Sequence, residues 1–200
     1  MAFAAVAAAL CAEPAAAQFA VFPKTGELAS PDGKYILRNR EHQASQSEFA
    51  GTFHSLWLVE TATRRWQKLR DYLGLTAVMW SGNDMLIMTE YARTTSRVFV
   101  FSAEDTFSLN KTHDPVVLDK SALVQRLSPD LRDTVRENDH IFIEAAKLED
   151  DVLHLQVWGR GQRDPGGFRW HCTYALSTGA LSCSEKATVV QEKSGLSSGP

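Results

Sequence analysis

Alternating hydrophobic and polar residues recur along most of the chain in short runs bounded by polar turns, a pattern that indicates antiparallel β-strands. Three of these runs open with the same signal, a polar turn that leads directly into an apolar strand. The turns begin at Asp32, Asn83 and Asn138, so the intervals between them are 51 and 55 residues. Regular intervals of this size are typical of repeated supersecondary units. The pattern therefore predicts three repeats.

Each repeat continues with a second apolar strand, followed by a turn and a returning strand. The second strands cover residues 55–60, 97–101 and 168–174. They are rich in β-branched and aromatic residues, which pack well on a pleated, half-buried surface. Each repeat is thus predicted to be a meander of three or four antiparallel strands.

The strand alternation breaks between residues 119 and 138, which separate the second and third repeats. Apolar residues recur there at spacings of three and four: Leu123, Val124, Leu127, Leu131 and Val135. This spacing is typical of helix, and Ser128 followed by Pro129 is typical of a helix start. The segment near 120–137 is therefore predicted to form a short helical insertion whose apolar stripe belongs to the core.

The composition places the chain among ordinary globular proteins. Its 200 residues are 44% hydrophobic, enough to bury a sizeable core in one domain or two small ones. Lys and Arg number 21 and Asp and Glu 24, for a net charge of -3, so no broad basic field exists to attract a phosphate backbone. Nucleic acid is not expected as a partner.

Residues 1–17 read MAFAAVAAALCAEPAAA, an apolar block followed by small residues of the kind that signal peptidases accept. We interpret them as a signal peptide or a disordered leader, because the usual basic segment before the apolar block is missing. Cys11 would suggest a lipoprotein, but Leu10 is a poor fit to the small residue that lipidation enzymes prefer. The protein is therefore expected to be periplasmic or secreted.

The rest of the chain contains no run that approaches the roughly 18 apolar residues of a membrane-spanning helix, so no membrane span is expected. Residues 184–200 are polar and end in SGLSSGP. Such a composition favours a disordered tail.

Once the leader is removed, two cysteines remain, Cys172 and Cys183. An even pair in an exported protein favours a disulfide. Gly179 between them can adopt the positive φ of a short hairpin turn, which would place the cysteines on facing strands. The alternative is a pair of buried free thiols.

The first repeat carries two motifs, SPDGKYIL at 30–37 and LWLVETAT at 56–63. They resemble a blade of a TolB-type or WD40-type β-propeller, families with an SPDGK-like turn and then a strand that ends in an acidic residue and a TxTG-like turn. Arg64 stands where that glycine would be, and Gly179 restores it in the third repeat. The resemblance implies one blade-repeat domain over 18–183, against the alternative of generic hairpins in a β-sandwich.

Three blades are too few to close a wheel, since propellers typically use four to eight. The predicted fold is therefore all-β, with three antiparallel blade-like sheets that form an open, incomplete propeller. An open arc leaves strand edges and an apolar side uncovered. Extra segments, a second copy in a homo-oligomer, or a partner would have to cover them.

The chain lacks the familiar signatures of catalysis and metal binding. Its six histidines show neither HExxH nor HxH, and the cysteine spacing does not suit zinc. No nucleophile elbow, dinucleotide-binding glycine motif or P-loop is present. The acidic run Glu149-Asp150-Asp151 lacks calcium-loop spacing and is interpreted as a solvated hairpin turn. No catalytic residue, metal or cofactor is predicted.

Loops are the more promising places for contact residues, because rigid β scaffolds carry their binding residues there. Segment 40–52 is long and polar, segment 107–115 reads FSLNKTHDP, and segment 159–167 reads GRGQRDPGG. The candidate partner-binding residues are Phe107, Ser108, Asn110, Lys111, His113, Arg160 and Arg163.

These features favour a non-enzymatic exported protein-binding module, specifically an inhibitor or immunity protein that blocks a secreted cell-wall hydrolase. The architecture is similar to periplasmic immunity proteins against type VI secretion amidases, a resemblance at the level of fold alone. In such inhibitors a loop side chain enters the enzyme cleft, and Ser108 is the candidate here, with Asn110 or His113 as its neighbours.

Two other functions stay open on the sequence. A sensory module could bind a glycan or a peptide through tryptophans, although aromatic residues in strands are first of all core material. The tryptophans in question are Trp57, Trp66, Trp158 and Trp170. An enzyme without a recognised motif is the second alternative.

Overall fold

The computed structural model describes residues 19–43, 52–108 and 114–184. The strands in these ranges are β1 (Phe19–Phe22), β2 (Glu27–Ala29), β3 (Tyr35–Gln43), β4 (Thr52–Glu60), β5 (Trp66–Tyr72), β6 (Thr76–Ser81), β7 (Met85–Tyr91), β8 (Ser96–Ser102), β9 (Val116–Leu118), β10 (His140–Glu149), β11 (Val152–Arg160), β12 (Phe168–Ala175) and β13 (Leu181–Cys183). The helices are α1 (Ala103–Phe107), α2 (Lys120–Arg126) and α3 (Pro129–Glu137).

The strands form three antiparallel sheets, one for each predicted repeat. Sheet 1 has the order β2-β3-β4-β5, sheet 2 the order β1-β6-β7-β8-β9, and sheet 3 the order β10-β11-β12-β13. The described residues do not close into a barrel. The expected all-β arrangement of three open, blade-like sheets with a short helical insertion is confirmed.

Sheet 2 lies between the other two sheets and is buried on both faces. Leu86 and Phe99 belong to the core that sheet 2 shares with sheet 1. Ile87 and Val98 belong to the core that it shares with sheet 3 and the helices. Because side chains alternate across a strand, a near-continuous apolar run such as MLIM in β7 has one neighbour sheet for each face.

Local turn chemistry explains where sheet 1 begins. Ser30 Oγ donates to Asp32 Oδ1 at 2.8 Å and accepts the Tyr35 N–H at 3.0 Å, and Gly33 has a φ of +71°. The left-handed conformation favours glycine, which has no Cβ to clash. The SPDGK segment thus forms a closed turn that aims β3 back along β2.

The first strand of the chain does not join the sheet that follows it in sequence. β1 pairs with β6 of sheet 2, with Phe22 opposite Thr76, and the chain then builds all of sheet 1 before it returns to β6. Phe22 is fully buried in the core between sheets 1 and 2. Sheet 1 is therefore an insertion between two paired strands of sheet 2, a feature that the sequence pattern does not show.

Side chains of sheet 2 hold sheet 3 in place. Ser96 Oγ donates to the Ile143 carbonyl at 2.7 Å and accepts the Ile143 N–H at 2.6 Å. The Tyr91 hydroxyl donates to Glu144 Oε1 at 3.3 Å, and burial together with this carboxylate raises the pKa of Tyr91 to about 12. Sheets 2 and 3 are thus joined by directional bonds as well as by apolar contact.

The helical insertion forms as α2 and α3. Leu123, Leu127 and Val135 are buried in the core that sheet 2 shares with sheet 3. Asp119 caps α2 by accepting the Ala122 N–H at 2.8 Å. Ser128 holds the N-cap position of α3 without a side-chain capping bond, and proline occupies the first turn. The predicted stripe is therefore core, as expected.

Cys172 and Cys183 lie opposite each other on β12 and β13. Their Sγ atoms are 2.07 Å apart, at disulfide bonding distance, and Gly179 in the connecting turn has a φ of +69°. The predicted pairing is confirmed.

Candidate functional site

One end of the sheet stack gathers several turns and the helix α1, and we name it the α1 end. The β6–β7 turn at 82–84, the β10–β11 turn at 150–151 and the β12–β13 turn at 176–180 lie there. The opposite end, which we name the α3 end, carries α3 and the β11–β12 turn at 161–167. The predicted contact segments at 107–115 and 159–167 therefore belong to two separate surfaces, and residues 44–51 of the predicted segment 40–52 lie outside the described residues.

Sequence features fix α1 at its end of the stack. Ser102 is the N-cap, and its Oγ accepts the Asp105 N–H at 3.1 Å. The same hydroxyl donates to Asp84 Oδ2 at 2.7 Å, and the Ala103 N–H donates to the Asp84 carbonyl at 2.8 Å. Asp84 thus binds α1 to the neighbouring β6–β7 turn.

An open groove of 540 Å³ lies at the α1 end between sheets 2 and 3, and we name it the acidic groove. Its described lining is Asp84, Met85, Val100, Ser102, Glu104, Asp105, Asp114, Val116, Asp151, Leu176 and Ser177. Five of these residues are acidic and none is Lys, Arg or His. Clefts lined by one sign of charge concentrate the electric field, so the groove favours cationic groups.

Asp151 contributes to the groove through a constrained turn. Both Asp150 and Asp151 have positive φ, at 45° and 67°, values that aspartate tolerates better than most residues. Asp151 Oδ2 accepts the Ser177 N–H at 2.9 Å, and its carbonyl accepts the Leu176 N–H at 2.9 Å. The acidic run that was predicted to be a hairpin turn is confirmed as one.

Phe107, the first candidate contact residue, packs against the core. Its ring stacks on Tyr35 at 6.0 Å with an interplanar angle of 3°, and the Arg65 guanidinium lies 5.1 Å above its centroid. Arg65 Nη1 also donates to the Phe107 carbonyl at 3.2 Å. Phe107 is therefore half-buried against the core between sheets 1 and 2, so only part of its side chain is available for contact.

Ser108 terminates α1, and its N–H donates to the Asp105 carbonyl at 3.0 Å. The candidates Asn110, Lys111 and His113 lie outside the described residues. Asp105 and Asp114, on either side of this loop, both line the acidic groove. Described residues on either side of the predicted contact loop thus line the groove.

Arg160 is the last residue of the nine-residue strand β11, and Arg163 lies in the turn that follows it, at the α3 end. At about 3.3 Å per residue, this strand places them roughly 26 Å from the acidic groove. Arg160 is exposed, and Arg163 Nη1 binds Glu137 Oε2 at 3.2 Å. The structure therefore does not bring the two groups of candidate residues together.

The tryptophans divide between core and surface. Trp170 is 5% exposed and belongs to the core between sheets 2 and 3, as the core interpretation expects. Trp57, Trp66 and Trp158 are half-buried on sheet faces that point away from sheet 2. Nothing in the strand pattern alone separates these two groups.

A serine, a histidine and an aspartate meet on sheet 1, and their geometry differs from that of a nucleophilic triad. Ser55 Oγ donates to Asp71 Oδ1 at 2.7 Å and lies 3.3 Å from His42 Nδ1. In a triad the histidine stands between the other two groups and takes the serine proton. Here Ser55 is central and its proton is engaged by the carboxylate, so the trio ties three strands together.

The described residues contain no group of three or more His, Cys, Asp or Glu side chains placed to hold a metal ion. Within the same ranges, no helix has the length and apolar character needed to cross a bilayer. No protein-family model, curated protein or solved structure matches the chain. The function must therefore be argued from the surfaces themselves.

Proposed function

We propose that the protein is a non-enzymatic exported protein-binding module, an inhibitor or immunity protein that blocks a secreted cell-wall hydrolase. One observation carries the proposal. Asp105, in α1, and Asp114, which follows residues 109–113, both line the acidic groove, so described residues on each side of the predicted contact loop lie at this groove. A loop held at both ends beside a charged groove is a suitable device for entering a cleft and binding its rim.

The scaffold supports this use because it fixes the described residues that precede residues 109–113. Phe107 is fixed by Tyr35 and Arg65, and Ser102 is fixed by Asp84. Rigidifying a contact segment lowers the entropy lost on association. The partner should therefore meet an α1 end whose described residues are largely fixed in advance.

The charge of the groove indicates what the partner should carry. Acidic side chains of the described lining, among them Glu104, Asp114 and Asp151, would attract Lys or Arg side chains on the rim of the hydrolase cleft. Such complementarity mainly raises the association rate and the specificity. An exported site of action also agrees with the disulfide between Cys172 and Cys183, because such bonds persist in oxidising compartments.

The test is binding and inhibition with purified periplasmic cell-wall amidases and other peptidoglycan hydrolases. Asp114→Lys reverses one exposed charge of the groove, and we expect it to weaken binding by about tenfold or more, as for close interfacial charge pairs. Asp139→Lys, an equal charge change on an exposed residue at the α3 end, is the matched control and should leave affinity within about twofold.

The proposal predicts that added salt weakens the association, because the attraction is between charges. Failure to inhibit any tested hydrolase would contradict the inhibitor function. Equal effects of Asp114→Lys and Asp139→Lys would contradict the assignment of the acidic groove as the contact surface.

A further inference from the structure

The face of sheet 1 that points away from sheet 2, named here the outer face of sheet 1, combines aromatic, aliphatic and cationic side chains. Strand register places Ile36, Val59 and Trp66 in one row across three strands. The next row contains Arg38, Trp57 and Lys68. No described segment packs over these rows. The face shares no residue with the acidic groove and lies on another side of the molecule.

The first row forms the floor of a shallow cavity of 250 Å³. The cavity is lined by Ile36, Arg38, Val59, Thr61, Arg64 and Trp66. Cavities for drug-sized ligands measure about 300–1,000 Å³, so this one suits a smaller body such as a single ring. Its floor is apolar and its rim carries two guanidinium groups.

Indole rings hold two arginines in place on this face. The Arg40 guanidinium lies 4.3 Å above the Trp66 centroid and 5.4 Å from that of Trp57. The Arg38 guanidinium lies 5.4 Å from the Trp66 centroid. Stacking of this kind occupies the plane of a guanidinium while its N–H edges stay available for a planar anion.

The positive charge of the outer face is only partly balanced. Arg38 binds Glu27 at 3.0 Å and Lys68 binds Asp71 at 2.6 Å. Arg40 and Arg64 form no ion pair with any carboxylate of the described residues. Both side chains are exposed, so the face offers two arginines to an anionic ligand.

We propose that the outer face of sheet 1 binds a carboxylated sugar. The apolar C–H face of a sugar ring would lie on Ile36 and Val59, beside the part of Trp66 that lines the cavity. Its carboxylate would accept paired hydrogen bonds from a guanidinium, a geometry for which arginine is well suited. This binding site is independent of the proposed inhibitor function.

Charge also argues against a second copy of the chain as the occupant. The corresponding outer face of sheet 3 carries Arg160 and Arg169, on the same side as Trp158. Neither arginine forms an ion pair with a described carboxylate. Packing that face on Arg40 and Arg64 would place like charges together, which is unfavourable.

A peptide strand is a weaker candidate because extended peptides bind sheet edges, where free backbone N–H and C=O groups supply hydrogen bonds. The cavity lies over β3, β4 and β5 in the body of the sheet. Backbone groups there are already paired between strands. The face instead presents aromatic rings for stacking and guanidinium N–H donors, which suit a ring with an anionic group better than a peptide strand.

The test uses galacturonic acid trisaccharide and its neutral counterpart, galactose trisaccharide, in titrations followed by calorimetry and tryptophan fluorescence. We expect the acidic sugar to bind and to change the fluorescence, and the neutral one to bind about tenfold or more weakly, as for loss of a charge-assisted hydrogen bond. Equal binding of both sugars, or binding of neither at about 10 mM, would overturn the proposal.

Arg40→Gln should weaken binding of the acidic sugar by about tenfold or more, and Arg64→Gln should weaken it in the same direction. Arg97→Gln, on an exposed residue of sheet 2, is the matched control and should have no effect. Melting curves establish that each variant is folded.

Two further results would also overturn the proposal. One is tighter binding of an Asp-rich peptide than of the acidic sugar. The other is a dimer in light scattering that Arg40→Gln abolishes, since this would identify a second copy as the occupant.

Discussion

Asn138 shows how much one buried amide can organise. Its side chain is fully buried, and Nδ2 donates to the Thr134 carbonyl at 2.9 Å and to Asp164 Oδ2 at 2.8 Å. Its Oδ1 accepts the Asp164 N–H at 3.2 Å. The end of α3 and the 161–167 turn are therefore joined through one residue, which the sequence pattern identifies only as part of a polar turn.

The backbone of Gly161 lies so close to Asn138 that no side chain fits there. A Cβ built there would lie 2.7 Å from Asn138 Cα, Asn138 Oδ1 and Asp139 N, too close for the buried amide to adjust. We expect Gly161→Ala to lower the free energy of unfolding by about 1–3 kcal/mol, as other overpacked sites do. Urea denaturation measures this change.

The control for Gly161 lies in the same turn. A Cβ on Gly166 would have no heavy atom within 4 Å, so Gly166→Ala should leave stability unchanged or raise it by up to about 1 kcal/mol. Equal losses in the two variants would show that the contact with Asn138 does not determine the cost.

Among the elements, the contact between β8 of sheet 2 and β10 of sheet 3 is the most informative one. Ser96 satisfies both the N–H and the carbonyl of Ile143 across two sheets. Its side chain therefore replaces the hydrogen bonds that a continuous sheet would supply. Because Ser96 is fully buried, water cannot take over this role.

Ser96→Ala should accordingly lower the free energy of unfolding by about 2–4 kcal/mol, since it leaves two buried backbone groups without partners. Amide hydrogen exchange should also accelerate at Ile143. Ser182→Ala, in an exposed position of β13, is expected to change stability by less than about 0.5 kcal/mol. A Ser96→Ala variant as stable as the Ser182→Ala variant would contradict this account.

Most elements could be predicted from local pattern, and those that could not depend on distant contacts. The strands of the three repeats and the segment near 120–137 follow directly from hydrophobic periodicity. α1 does not, because its five residues are held by Asp84 in a different turn. The partner of β1 is equally invisible locally, since β6 lies more than 50 residues later.

For the whole molecule, the central position of sheet 2 means that adjacent residues of one strand contribute to stability by similar amounts, because each faces a different core. Leu86 faces the core shared with sheet 1, whereas Ile87 faces the core shared with sheet 3. We expect Leu86→Ala and Ile87→Ala each to lower the free energy of unfolding by about 2–5 kcal/mol, as buried truncations do.

The same comparison in sheet 3 should give an unequal result, because the described residues cover only one of its faces. Leu155 is buried and Gln156 points to the outer face. Leu155→Ala should lower the free energy of unfolding by about 2–5 kcal/mol, and Gln156→Ala should lower it by less than about 0.5 kcal/mol. Chemical denaturation of the four variants measures these changes. An Ile87→Ala variant with an unchanged free energy of unfolding would contradict the burial of sheet 2 on both faces.

The surfaces were harder to predict than the core for a physical reason. A loop such as 107–115 can be recognised by composition, but the groove beside it combines residues from several turns that only the fold brings together. Likewise, Trp66 and Trp170 follow the same strand pattern, but Trp66 points away from sheet 2 and is half-buried, whereas Trp170 faces sheet 2 and is buried. Sheet order is set by long-range packing, which periodicity does not encode.

The pairing of β1 with β6 has a mechanical consequence. A pull on the amino end of the molecule acts first on the four residue pairs between these strands. Antiparallel pairs loaded from one end separate one after another, like a zip, so resistance to force should be low there. Once they part, the insertion that forms sheet 1 loses its restraint at one boundary, and tension would open the protein between β1 and β6 before it disturbs the remaining strands of sheet 2 or sheet 3.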